Sequence, residues 1–241
     1  DKNGLISLDE LQSSIQKNTV LISVQFANNE IGTIQDIESI GGICKNNNIP
    51  FMCDATQAIG KLDVDVEKLN IDLLCLSSHK INGPKGVGSL YKRKKIKITP
   101  LLHGGDQEGG LRAGTLNTAG IVGFGKACEI AKNNLEMNHQ KLSEIQAEFE
   151  TFIESNNKGE VVAKSVSRLP HISNIILNED AENFMIRNKD KICVSTGSAC
   201  NSSIETHSHV LDALHLKEKI KNCVRFSFGR DQKLDLSQLL F

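Results

Sequence analysis

Short apolar runs that each end in a polar cluster constrain the fold more than any other feature of this chain. Thr19-Val20-Leu21-Ile22-Ser23-Val24, Phe51-Met52-Cys53-Asp54 and Leu73 to Ser77 read as buried strands, and Gly88-Ser89-Leu90-Tyr91 as a further one. Helical stretches precede and separate them. One opens with the capping box Ser7-Leu8-Asp9-Glu10 and runs to about Lys17; another starts at Asp36 and ends in Lys45-Asn46-Asn47-Asn48. Strands alternating with helices predict an α/β architecture, a mostly parallel sheet with helices on its faces. Such sheets gather their functional groups at the carboxyl ends of the strands.

The rest of the chain has a different character. Leu101 to Thr118 is rich in glycine and polar groups and too long for a simple turn, which points to a functional or interfacial loop. A long helical pattern runs from about Thr118 to Ser155. Beyond it, Ile172 to Leu177, Lys191 to Val194 and Cys223 to Phe228 read as strands, with a helix over His209 to Leu214 between the last two. The expected division is a large domain over residues 1–132 and a small α+β domain over 133–241. A net charge of -1 over 241 residues gives no electrostatic case for nucleic acid or an anionic membrane as main partner. No apolar run is long enough to span a bilayer. Seven cysteines with no CxxC pair argue against zinc and dithiol motifs and for a reducing, cytoplasmic setting. Cys44, Cys53, Cys75, Cys193 and Cys223 lie in apolar stretches and read as small hydrophobes. The basic run Lys92-Arg93-Lys94-Lys95 is most simply a solvated strand end, and His207-x-His209, with no third ligand nearby, a pair of surface histidines.

Chemistry concentrates around one lysine. In Ser77-Ser78-His79-Lys80-Ile81-Asn82-Gly83-Pro84-Lys85-Gly86, Lys80 follows an apolar strand and precedes a Gly-Pro-Lys-Gly turn. An amine desolvated at a strand end can lose its proton and form a Schiff base with a carbonyl cofactor. Asn28-Asn29-Glu30-Ile31-Gly32 and Asp54-Ala55-Thr56-Gln57 also follow predicted strands, so all three polar clusters are expected on one sheet edge. Taken alone, each is an ordinary cap or turn. Together they supply what pyridoxal 5'-phosphate needs: a carboxylate for the ring nitrogen, an amine for the aldehyde, and donors for the phosphate.

With the further motifs His103-Gly104-Gly105, Leu111-Arg112-Ala113-Gly114-Thr115-Leu116 and Ser195-Thr196-Gly197-Ser198-Ala199-Cys200, the chain resembles the group I cysteine desulfurases of the NifS/IscS type. The resemblance covers essentially the whole chain in family order. It implies a fold-type I pyridoxal phosphate-dependent transferase, aspartate aminotransferase-like, and a homodimer. It implies that Lys80 carries the cofactor and moves protons, that Asp54 pairs with the pyridinium nitrogen, and that Gln57 and Asn29 contact the ring oxygen and its surroundings. Ser77, Ser78 and His79 would bind phosphate. Thr115 would reach the phosphate of the other subunit, and Arg225 would hold the substrate carboxylate bidentately.

Cys200 would do the remaining chemistry. It sits in a small, polar stretch, unlike a buried structural cysteine. The resemblance implies that it attacks the sulfur of L-cysteine as a thiolate, so that L-alanine leaves and a persulfide remains for a sulfur-acceptor or scaffold protein, in iron–sulfur cluster assembly or nucleic-acid thiolation. No metal is expected. Two other readings stand beside this one: a selenocysteine lyase or related lyase on the same fold, and a truncated, non-catalytic scaffold that dimerises or binds a sulfur-transfer partner. The last is motivated by a departure from the family. Its upstream stretch, with a phosphate-binding turn and a histidine stacked on the cofactor ring, has no counterpart here, so the chain is expected to lack part of the pocket. Arg112-Ala113-Gly114-Thr115 stands where the family has Arg-Ser-Gly-Thr, the loop after Cys200 is slightly shorter than usual, and Glu179 to Asp190 matches weakly.

Overall fold

In the computed structural model, which describes residues 1–196, 208–231 and 235–241, the elements run in the order α1 (Leu8–Ser13), β1 (Ile22–Gln25), α2 (Ile37–Asn46), β2 (Phe51–Asp54), β3 (Leu73–Ser77), β4 (Gly88–Lys92), α3 (Thr118–Asn133), α4 (Leu135–Ser155), β5 (Gly159–Val161), β6 (Ile172–Leu177), α5 (Ala181–Asn188), α6 (His209–Ala213) and β7 (Cys223–Ser227). Contacts divide the chain into two compact units that are interleaved in sequence. One comprises Ser14–Phe26 and Ile37–Leu135; the other comprises Asp1–Ser13, Ala27–Asp36 and Glu136–Phe241.

The first unit holds a four-stranded sheet in the order β1-β2-β3-β4. β1, β2 and β3 are parallel, with Gln25 opposite Asp54 and Asp54 opposite Cys75, and β4 returns antiparallel to β3. The apolar content of β2 and β3 explains their place inside the sheet: Phe51, Cys53, Leu73 and Leu74 are buried. α2 buries Ile37, Ile40, Gly41 and Cys44, one helical face at i, i+3, i+4 and i+7. Gly41 is required there, because a Cβ would lie 2.0 Å from the Leu69 carbonyl oxygen. Cys44 and Cys53 belong to this core, and burial pushes their thiols up to about 11 and about 12 respectively.

The second unit is built on an antiparallel sheet, β5-β6-β7, covered by α4 and α5. Leu142, Ile145, Phe149 and Ile153 form the buried stripe of α4, and Phe149 stacks on Phe226 with ring centroids 4.6 Å apart. A buried ion pair reinforces it: both terminal nitrogens of Arg168 donate to Glu150 at 2.8 Å, and Ser173 Oγ donates to the same carboxylate at 2.5 Å. Arg168 also pairs with Thr33 in an isolated bridge, so residues 27–36 are stitched to this unit.

Several sequence expectations need correction. The long helix is two helices: Asn134, whose side chain donates to the Ile130 carbonyl at 2.8 Å, separates α3 from α4. α1 starts at the expected cap, with Ser7 Oγ accepting from the Glu10 N–H at 3.2 Å, but stops at Ser13 rather than near Lys17. Among the described residues Lys191 to Val194 forms no strand, and Ser195 makes an isolated bridge with Arg225. Cys193 is exposed, not part of a core. The basic run is partly neutralised, since Arg93 lies against Glu67 and Asp72 and Lys95 against Asp72. Among the described residues no helix is long and apolar enough to cross a membrane.

Candidate functional site

Lys80 stands in a single 3₁₀ turn, Ser78–Ile81, directly after β3. The turn is closed by Asn82 in the left-handed conformation (φ 62°), whose N–H donates to the Ser78 carbonyl. Its underside is apolar: Ile81 packs with Phe124 and Ala127 of α3. The fit is tight, because a Cβ on Gly83 would lie 3.0 Å from Ala127 Cβ, and one on Gly123 would lie 2.6 Å from Pro84 Cγ. Lys80 is therefore carried by a rigid element. Its half-buried side chain makes no hydrogen bond or ion pair among the described residues.

Four other candidates share this edge. Ser77 Oγ and His79 Nδ1 are hydrogen-bonded at 2.8 Å, both toward solvent. Asp54 ends β2, the neighbouring parallel strand; its exposed carboxylate accepts the Thr56 N–H at 2.9 Å, and its backbone carbonyl accepts the Phe26 N–H at 2.8 Å. Gln57 is half-buried in the turn that follows. Burial and then the Asp54 charge raise the Cys75 thiol in the same register. Thr115 is exposed in the long glycine-rich loop.

Ser78 departs from the expected set. It is 0% exposed, its hydroxyl has no hydrogen-bond partner among the described residues, and a Cβ on Gly83 would lie 2.2 Å from its Oγ. It faces inward under the turn, so the hydroxyl that Ser77 and His79 share the surface with is not that of Ser78. The turn needs a small residue at that position, and a serine there is indistinguishable in sequence from a phosphate ligand.

Asn29 and Arg225 lie together in the other unit. The Arg225 guanidinium donates to the Asn29 carbonyl at 2.9 Å, and its backbone pairs with Ser195 at 2.7 and 3.3 Å. Glu30, which sequence reasoning passed over, is buried and accepts from Ser208 Oγ at 2.5 Å. Asn28 Oδ1 accepts the Glu30 and Ile31 N–H groups at 2.8 and 3.1 Å and shapes the turn that presents Asn29. Thus two of the three polar clusters, at Asp54 and Ser77, share a sheet edge within one unit, and Asn28–Gly32 is packed with the other. Cys200 lies outside the described residues, as does His207.

The family model described as aminotransferase class-V matches residues 1–236. The chain belongs to this family. Class-V aminotransferases and the cysteine desulfurases among them are pyridoxal phosphate enzymes of fold-type I, and this chain has that α/β fold. Among its curated relatives, cysteine desulfurase IscS of Methanosarcina thermophila is 47% identical over 233 residues, covering 95% of this chain and 58% of that protein. A mitosomal cysteine desulfurase of Encephalitozoon cuniculi is 38% identical over 232 residues. Solved structures agree. A NifS-like protein from Rickettsia africae superposes with TM-score 0.88 at 31% identity, over 99% of this chain and 65% of that one, and SspA in complex with cysteine does so with TM-score 0.79 at 37% identity. The chain thus spans about 58% of the length of the curated relatives it matches. The donor set at the ends of β2 and β3 suits the family's cofactor: an amine on a rigid turn, a carboxylate one strand away, and an exposed hydroxyl–imidazole pair.

Proposed function

We propose that the protein from which this chain comes is a cysteine desulfurase that takes sulfur from L-cysteine, releases L-alanine and passes the sulfur on as a persulfide of Cys200. The carrying observation is Lys80, without a side-chain partner among the described residues, on a rigid turn beside the Ser77–His79 pair and one strand from Asp54.

Residue roles follow from donor chemistry. Pyridoxal phosphate, when bound, supplies an electron sink for charge developing at the substrate α-carbon. Lys80 would hold it and carry a proton to and from that carbon. Asp54 would keep the ring nitrogen protonated, Ser77 and His79 would take the phosphate, and Gln57 the ring oxygen. Arg225 would bind the substrate carboxylate, with Asn29 beside it. Cys200 would supply the thiolate that accepts sulfur, for delivery to an acceptor protein. Residues through 132, apart from 1–13 and 27–36, would form the later part of the cofactor-binding portion, and those from 133, together with 1–13 and 27–36, the small α+β portion. A homodimer, with Thr115 reaching the partner's phosphate, is supported by the exposed Leu101, Leu102, Leu111, Leu116, Ile121 and Val122 in and beside the glycine-rich loop. Free thiols at all six described cysteines suit a reducing, cytoplasmic setting.

The test uses the protein at its full natural length. L-cysteine should yield alanine, with sulfur trapped as a persulfide on Cys200 by alkylation and mass analysis, and sulfide should follow once an added dithiol reduces that persulfide. Cys200→Ala should abolish sulfur release while cofactor absorbance is retained. Unchanged release from that variant removes Cys200 from the reaction, and no alanine from either form refutes the enzyme.

A further inference from the structure

Lys61 is a half-buried lysine that no carboxylate pairs with among the described residues. Its ammonium instead donates to the backbone carbonyl of Lys80. Burial, and next the charge of Lys80 itself, bring the Lys61 ammonium down to about 8. Burying a cation without a counter-charge is costly, so the local backbone must favour the arrangement.

The reason lies in the turn. At the end of Ser78–Ile81 the carbonyls need donors from beyond the turn. Asn82 N–H and Gly83 N–H both go to the Ser78 carbonyl. The next residue is Pro84, which has no N–H to give. The chain's own backbone therefore leaves the Lys80 carbonyl unserved, and Lys61 serves it as a cation at the carboxyl end of a helical turn. A second observation brings Lys61 within reach. Gly60 has φ +71°, and a Cβ there would lie 2.8 Å from Ile81 Cγ2 and 3.1 Å from Ala131 Cβ. Only glycine lets the chain before Lys61 press against the residue after Lys80.

We propose that Lys61 is a positioning residue for Lys80: by holding the Lys80 carbonyl it fixes the turn from which the Lys80 amine meets an aldehyde. This rests on the reading of Lys80 as the cofactor-bearing lysine. The effect falls on capture of the cofactor, because a free turn would present the amine over a wider range of directions.

The experiment uses the full-length protein stripped of cofactor. Pyridoxal phosphate is added, samples are reduced with borohydride at intervals, and label at Lys80 is quantified by peptide mass analysis, beside a melting curve for each variant. Lys61→Met should slow labelling of Lys80 about tenfold, the share of one charge-assisted hydrogen bond. Lys61→Arg, which keeps a cationic donor, should label within about threefold of the unsubstituted protein, with both melting curves unchanged. Labelling of Lys61→Met at the unsubstituted rate overturns the inference, and so does a loss of rate that tracks a loss of melting temperature across both variants. If Lys61→Met does not fold, Lys61→Arg decides alone: near-normal rate supports the inference, and a tenfold loss with unchanged melting overturns it. Absence of label at Lys80 in the unsubstituted protein refutes the cofactor reading and the inference with it.

Discussion

Removing Glu150 should loosen the unit that carries Asn29 and Arg225. Glu150 is 7% exposed, and its carboxylate accepts three hydrogen bonds, two from Arg168 at 2.8 Å and one from Ser173 at 2.5 Å. Glu150→Ala leaves the Arg168 guanidinium buried without its counter-charge, which costs about 3–5 kcal/mol. The damage should spread along the backbone that Arg168 organises. Leu169 N–H donates to the Gly32 carbonyl at 2.8 Å and Ile34 N–H to the Ser167 carbonyl at 3.0 Å, so residues 28–34 depend on the same strut. The double variant Glu150→Leu/Arg168→Met removes both charges and fills the space, and should recover most of the loss. The assay is the urea midpoint of each variant, with amide hydrogen exchange read over Ile172–Leu177 and over residues 28–34. A cost below about 1 kcal/mol for Glu150→Ala, as for an exposed pair, would refute the reasoning. A double variant no better than the single would refute it too.

Three shorter predictions follow from other sites. Ser78→Ala should leave stability and cofactor affinity unchanged or improved, because it deletes a buried hydroxyl without a partner, whereas Gly83→Ala should cost about 1–3 kcal/mol through its clash with that hydroxyl; melting curves and cofactor titration check both. Above pH 9 the unfolded chain releases thiol protons that Cys44, Cys53 and Cys223 retain up to about 11, about 12 and about 11 when folded. Stability present below pH 9 is therefore lost as pH rises, by up to about 1.4 kcal/mol per pH unit per thiol, while Lys61, depressed to about 8, acts in the opposite sense up to its ordinary range. Urea midpoints from pH 8.5 upward should fall, less steeply in Cys53→Ala, and equal slopes in the two proteins would contradict the assignment. Leu102→Glu, on the exposed apolar loop, should weaken dimerisation at least about tenfold by sedimentation, with the monomer's helical signal intact.

Much of the sheet was legible because local pattern and burial agree there. β2, β3 and β6 begin and end where the sequence places them, since each lies inside its sheet and is mostly apolar, and the polar Ser173 and Asn174 of β6 are buried with hydrogen bonds to Glu150 and to the Glu30 carbonyl. The misses have separate physical causes. Periodicity continues through Asn134, so nothing in the hydrophobic pattern reports that its side chain competes for the helix's own hydrogen bonds. Lys191 to Val194 has strand composition, but among the described residues no strand pairs with it, and the bridge at Ser195 stands alone. β5 and α5 are short, three and eight residues, and draw their order from packing against longer elements. At the candidate site the residue types near Lys80 were readable from sequence, but not that Ser78 turns inward or that Lys61, nineteen positions before Lys80, reaches its carbonyl. Those depend on Gly60, Gly83 and Pro84, whose sequence signal says only that a turn is present.

The interleaving of the two units has a consequence for how the protein is made. Residues 27–36 leave the ribosome well before their partners around Arg168 to Asn174. At ordinary elongation rates the gap is on the order of ten seconds, far longer than local collapse takes. During that interval Ile31, 1% exposed in the finished fold, has no native neighbour from the later unit to cover it. Nascent chains stalled between these two points should therefore be clients of chaperones that bind short apolar segments, and the protein should tolerate synthesis in two separately translated pieces poorly.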